Sequence, residues 1–121
     1  MALARFSLVA LDCPDPLALA EFYHSIVGGE IIQSDTYDDW VRLETPSGSD
    51  IGFQENKSYQ PPGWPDGLPQ QAHLDFDVSN LDEGERTVLK LGATKAEIQP
   101  DPENWRVLLD PAGHPFCLVK A

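Results

Sequence analysis

His73 and Asp75 stand two residues apart in the alternating stretch Ala72-His73-Leu74-Asp75-Phe76-Asp77-Val78. On a strand, both side chains project from one face. A histidine beside a carboxylate can act as a general base, because imidazole titrates near neutral pH. The plainer reading of His73 is a hydrogen-bonded residue lining a hollow. Cys117 offers a thiol that could serve as a nucleophile if His73 lay close and lowered its pKa. That role ranks below the base, and the plainer reading of Cys117 is a small core residue. Trp40 and Trp105 provide aromatic surface, and Arg42, Glu44 and Gln54 add polar groups. Apolar walls with a few polar points are what a small-molecule pocket requires. His24 and His114 read as surface residues, on a helix and in a turn. The chain carries no phosphate loop, serine-nucleophile elbow or zinc-protease HExxH motif.

What places these residues is an internal repeat of 65 residues. Asp12 matches Asp77, Trp40 matches Trp105, Leu43 matches Leu108, Pro46 matches Pro111 and Gly48 matches Gly113, with no slip across the pairs. One supersecondary unit is used twice, so each half can be compared with the other. In the first half, residues 6–13 read as a strand with Val9, Leu11 and Cys13 on one face. Asp15 and Pro16 open a helix with an apolar stripe of Leu19, Phe22, Tyr23 and Ile26, stopped by Gly28 and Gly29. Strands follow at 30–34, 39–44 and 50–55, the last two joined by the Thr45–Gly48 turn. In the second half, a strand over 72–78 precedes a helix capped by Asn80, with Glu83 completing a capping box. Its inner stripe is Leu81, Gly84, Val88 and Leu91, and Gly92 ends it. Strands are expected near 95–99, 104–109 and 115–120, with a turn at Asp110–Gly113.

Strand parity then puts Leu74, Phe76 and Val78 toward the helices, and His73, Asp75 and Asp77 toward the opposite face. The same logic groups Leu8, Ala10 and Asp12 with Gly52, Gln54, Cys117 and Val119. Asp12 and Asp77, at strand ends before the helix caps, read as acceptors of backbone N–H bonds. Residues 56–71 hold Pro61, Pro62, Pro65 and Pro69 and read as an ordered connector. Packing is the preferred role for its Tyr59 and Trp64, ahead of lying over a site.

With 121 residues there is room for one shared core, so the halves are expected to fold as a single domain: module one 1–55, connector 56–71, module two 72–121. The net charge of −12 argues against nucleic acid, which needs a basic surface. Scattered acids suit a self-repelling surface, part of which could attract a cationic ligand. No apolar run reaches the length of a membrane span, and Met1-Ala2-Leu3-Ala4-Arg5 lacks a secretory segment. The two cysteines suit a reducing compartment, and the expected location is cytoplasmic.

Three motifs carry a family resemblance. Asp12-Cys-Pro-Asp-Pro-Leu-Ala-Leu-Ala-Glu-Phe-Tyr23, Pro69-Gln-Gln-Ala-His-Leu-Asp-Phe-Asp-Val78 and Leu108-Leu-Asp-Pro-Ala-Gly-His-Pro-Phe-Cys-Leu-Val119 resemble glyoxalase-like domains of the vicinal oxygen chelate superfamily. That superfamily includes glyoxalase I, bleomycin-resistance proteins and extradiol dioxygenases. The resemblance implies an α+β fold of two βαβββ modules, whose eight strands form an open cup with helices outside, and a homodimer. It also implies one divalent ion, held by His, Gln or Glu at the first and last strands of each module. Here the four corresponding positions read Leu8, Gly52, His73 and Cys117. Two of them have no donor, which is too few for a hard octahedral ion.

These readings lead to a metal-independent protein of the glyoxalase/bleomycin-resistance type, binding a small aromatic or cationic molecule. Its ligand-binding candidates are Trp40, Glu44, Gln54, His73, Asp75, Trp105 and Cys117, with His73 and Asp75 as the catalytic candidates. No cofactor is expected, and neither nucleic acid nor membrane is a partner. The alternative is a lyase, isomerase or dioxygenase with an altered divalent-metal centre on His73, Gln54 and Cys117.

Overall fold

The computed structural model describes residue 2 and residues 5–121. Positions 1, 3 and 4, part of the opening stretch considered above, lie outside the described residues. The chain divides into two compact units, one running through Tyr59 and the other from Gln60 to Ala121. The boundary between the units falls within residues 56–71. Each unit has the order strand–helix–strand–strand–strand, and the fold is α+β, as expected.

The first unit comprises β1 (Leu8–Cys13), α1 (Pro16–Val27), β2 (Glu30–Gln33), β3 (Trp40–Glu44) and β4 (Asp50–Glu55). Its open sheet has the order β1-β4-β3-β2, with β1 parallel to β4 and the other pairs antiparallel. The helix begins where Asp15 accepts a hydrogen bond from the Ala18 N–H at 3.1 Å, satisfying a donor that the first turn leaves unpaired. Leu19, Ala20, Phe22 and Tyr23 are buried against the sheet. Tyr23 stacks on Phe53 with centroids 5.8 Å apart, a contact worth about 0.5–1.5 kcal/mol beyond the buried area. Leu11, Cys13, Val41, Leu43 and Ile51 complete this core.

The second unit comprises β5 (Leu74–Val78), α2 (Leu81–Leu91), β6 (Thr94–Lys95), β7 (Trp105–Leu109) and β8 (Pro115–Lys120), in the sheet order β5-β8-β7-β6. Asn80 Oδ1 accepts from the Glu83 N–H at 2.9 Å, as the cap predicts. Leu81 and Val88 are buried, but Leu91, expected on the inner stripe, is exposed. Phe116, Leu118, Leu108 and Val107 are almost fully enclosed, and Phe76 meets Phe116 edge-on at 6.0 Å.

The repeat extends to single hydrogen bonds. Glu55 N–H donates to Asp39 O at 2.8 Å, and Lys120 N–H donates to Asn104 O at 2.9 Å. Asn56 N–H to Cys13 O and Ala121 N–H to Val78 O form a second matched pair. The parallel registers agree too: Val9 pairs with Ile51, and Leu74 with Phe116. One element slips. Glu30 pairs with Glu44, whereas Thr94 rather than Lys95 pairs with Leu109. The cause is the helix end. Gly92 takes the left-handed conformation one position before the equivalent of Gly28, so α2 stops a residue early.

The expected strand at 95–99 shrinks to the two residues of β6. Gln99 replaces the missing ladder. Its amide donates to Val107 O at 2.8 Å and Ala96 O at 2.9 Å, and its carbonyl accepts from the Val107 N–H at 2.9 Å. A side-chain amide has the donor and acceptor of a peptide, so it satisfies the sheet edge without a continuous strand.

Candidate functional site

The site lies on the face of the second sheet opposite its helix. Asp75 pairs with Cys117, Asp77 with Val119, Trp105 with Val119 and Val107 with Cys117, so these side chains share that face. His73, Asp75, Trp105, Cys117 and Val119 line a cleft of about 320 Å³. A contiguous part of about 160 Å³ adds Trp64, Gln70, Val107 and Pro115. His73 stands one residue before β5 rather than on it, since the strand begins at Leu74 and not Ala72. It nevertheless keeps to the cleft side. His73 Nε2 is 3.5 Å from Asp75 Oδ1, longer than a good hydrogen bond, and both side chains are about half exposed.

The connector builds one wall. Gly113, in the Asp-Pro-Ala-Gly turn, has Pro61 so close that a Cβ there would stand 2.6 Å from Pro61 Cβ. Asp110 holds this turn from a buried position, its carboxylate accepting the Ala112 and His114 N–H groups at 2.9 and 3.0 Å. Trp64 faces the cleft, where packing alone was the preferred expectation. Gln70 was missed by the sequence reading. Its Oε1 is buried with no hydrogen-bond partner among the described residues. A polar residue inside a proline-rich loop gave no signal beyond its composition.

Cys117 does not have the chemistry of a nucleophile. Its thiol is pushed up to about 11, first by burial, then by the negative charge of Asp75, and further by its hydrogen bond to that carboxylate. Histidine does not lower it, and the thiolate fraction at neutral pH is roughly one in ten thousand.

Apart from Trp40, which matches Trp105, the first unit carries different residues at the positions that match the cleft lining. On the corresponding face, Trp40 pairs with Gln54, Arg42 with Gly52, and Ala10 with Gly52. Gly52 matches Cys117, and Leu8 matches His73. A Cβ on Gly52 would collide with the Trp40 indole and stand 3.2 Å from Leu8 Cδ1. The indole thus occupies the space that a ligating side chain at 52 would need. Arg42 donates to Asp50 at 2.8 Å and lies 4.0 Å from Glu44. The Arg42 hydrogen bond, with that of the Thr45 N–H, holds the Asp50 carboxyl below the usual range. Glu44 is half exposed, its charge partly offset by Arg42. Gln54 is exposed and donates to Asp39 at 3.4 Å. Asp12 accepts from the side chain of Asn56 at 3.3 Å. A hard ion at the four family positions would thus lack two donors, at Leu8 and Gly52, and the residues present do not fit such a centre.

The sequence matches the model of the glyoxalase-like domain over residues 8–119. The chain belongs to the glyoxalase-like domain family, within the glyoxalase/bleomycin-resistance/dioxygenase superfamily. Among solved structures, it is similar to a glyoxalase/bleomycin resistance protein/dioxygenase family enzyme from Burkholderia phytofirmans PsJN. The two are 25% identical, with 97% of this chain and 98% of that one covered and a TM-score of 0.73. It also resembles a possible glyoxalase from Bacillus cereus at 14% identity, covering 98% and 99% with a TM-score of 0.70. The genomically encoded fosfomycin resistance protein FosX from Listeria monocytogenes is 19% identical, covering 98% and 91% with a TM-score of 0.71. No curated protein sequence matches the chain.

Proposed function

We propose that this protein binds a small aromatic, cationic organic molecule in the cleft of its second unit, without the four-ligand metal centre of its superfamily. The observation that carries this reading is the asymmetry between matched tryptophans. Trp40 lies over Gly52 and leaves no room there, whereas Trp105 walls a cleft with His73, Asp75 and Cys117. The cleft volume suits a small ligand. Trp105 and Trp64 supply surfaces for stacking, and Asp75 supplies negative charge. Of the sequence candidates, His73, Asp75, Trp105 and Cys117 belong to this reading, while Trp40, Glu44 and Gln54 sit on the first unit. Family habit adds a homodimer, which light scattering on the purified protein would test.

The binding test is a screen of aromatic and cationic compounds by tryptophan fluorescence and calorimetry. A binder should quench emission, and Trp105→Leu should weaken it by about 1–2 kcal/mol, roughly 5–30-fold, the worth of a desolvated cation–π contact. A broad screen with no binder, or binders indifferent to Trp105→Leu, would refute the reading.

A further inference from the structure

Three different donor atoms converge in the second unit: an imidazole nitrogen of His73, a carboxylate oxygen of Asp75 and the sulfur of Cys117. All lie within 4.8 Å of one another. Around a tetrahedral zinc ion, nitrogen and oxygen ligands sit about 3.3 Å apart, and a thiolate sits about 3.6 Å from either. The His73–Asp75 separation of 3.5 Å is already close to that value. Bringing the sulfur into place from within 4.8 Å needs a closure of at most about 1.2 Å, within the reach of side-chain rotation by the two exposed residues. The backbone holds the rest. Asp75 and Cys117 are partners on the paired strands β5 and β8, so the hydrogen-bonded ladder fixes their spacing.

We infer that His73, Asp75 and Cys117 form a thiolate-containing site for a borderline or soft divalent ion, with zinc as the physiological candidate. All of its protein ligands come from the second unit. The set differs from the family pattern in kind. Sulfur replaces a closing oxygen donor, Asp75 enters from a strand position outside that pattern, and the first unit gives nothing at Leu8 or Gly52. One sulfur, one nitrogen and one oxygen favour zinc or cadmium over magnesium or calcium, which need more oxygen ligands. Three protein ligands leave a fourth position for water or for a molecule in the cleft. Binding exchanges the Cys117 S–H bond for a sulfur–metal bond, and the proton leaves to solvent. The site shares Asp75 and the cleft with the organic-ligand reading, so a bound ion and a cationic molecule would compete for that carboxylate, but the readout here is the metal–sulfur bond and involves no organic molecule.

The test uses the full chain, stripped with a chelator and free of organic compounds. Zn²⁺, Cd²⁺ and Mg²⁺ are titrated by calorimetry, and Cd²⁺ also by the ultraviolet charge-transfer absorption of cadmium–thiolate bonds. One equivalent of Zn²⁺ or Cd²⁺ should bind, Cd²⁺ should produce the thiolate band, and Mg²⁺ should not bind. Cys117→Ser should abolish the band. Asp75→Asn and His73→Ala change exposed side chains, and both should keep the native circular dichroism spectrum. Each should weaken Cd²⁺ by at least about 10-fold, the loss that outer-shell partners alone can cause. The inference is overturned if the parent chain shows no thiolate band, or if the band survives in Cys117→Ser. Unchanged Cd²⁺ affinity in both Asp75→Asn and His73→Ala would overturn it, as would Mg²⁺ binding as tight as Zn²⁺. A failed organic screen alters none of these readouts.

Discussion

At the scale of single residues, the environment of a group matters more than its identity. Cys117 has the reactive side chain, but burial and the Asp75 carboxylate keep it protonated to about pH 11. Its alkylation by iodoacetamide should therefore be negligible near pH 7.5 and should rise only as pH approaches 11. The same shift affects stability. In the unfolded chain the thiol ionises near its ordinary value, about 8.5, so between roughly pH 8.5 and 11 the unfolded state loses a proton that the folded state keeps. Stability falls with rising pH across that window, and Cys117→Ser should flatten the fall in urea-midpoint measurements. Asp110 shows the opposite case, a buried carboxylate with a structural task. Asp110→Ala leaves two turn N–H groups unpaired and should cost about 2–3 kcal/mol by chemical denaturation, with Asp110→Asn milder because its Oδ1 can still accept.

At the scale of elements, matched positions in the two sheets have taken different contents. Gly52 has no side chain because the Trp40 indole lies where one would go. Gly52→Ala should cost about 1–3 kcal/mol through overpacking, and a Trp40→Leu background should relieve most of it, as a double-mutant cycle would reveal. The β6 edge offers a second test. Gln99→Leu removes three hydrogen bonds that stand in for a strand, so it should destabilise by about 1.5–4 kcal/mol and speed amide exchange at Val107. These devices were not legible in advance. A glutamine in a loop has no periodicity to read, and a glycine in a strand does not say what covers it.

At the scale of the whole molecule, the net charge of −12 sets a long-range field. If the cleft takes a cation, association should slow as salt rises from 0.01 to 0.15 M, because the Debye length contracts from about 30 to 8 Å. Stopped-flow fluorescence at those two ionic strengths measures it, and a neutral aromatic ligand should show little change. No helix among the described residues is long and apolar enough to cross a membrane.

The amino-acid order by itself determined the duplicated module, the faces of its strands and the helix caps at Asp15 and Asn80. Each of these rests on local spacing and backbone chemistry, which a linear string contains. It also showed that Leu8 and Gly52 lack donors, since residue type alone decides that. Only the tertiary structure decided that Trp40 fills the first unit's vacated position while Trp105 opens a cleft in the second. It also decided that the Cys117 thiol is held protonated, and that Trp64 and Gln70 join the cleft wall. Burial, the direction of a ring and the proximity of a distant loop depend on packing among residues far apart in sequence, and no local pattern records them.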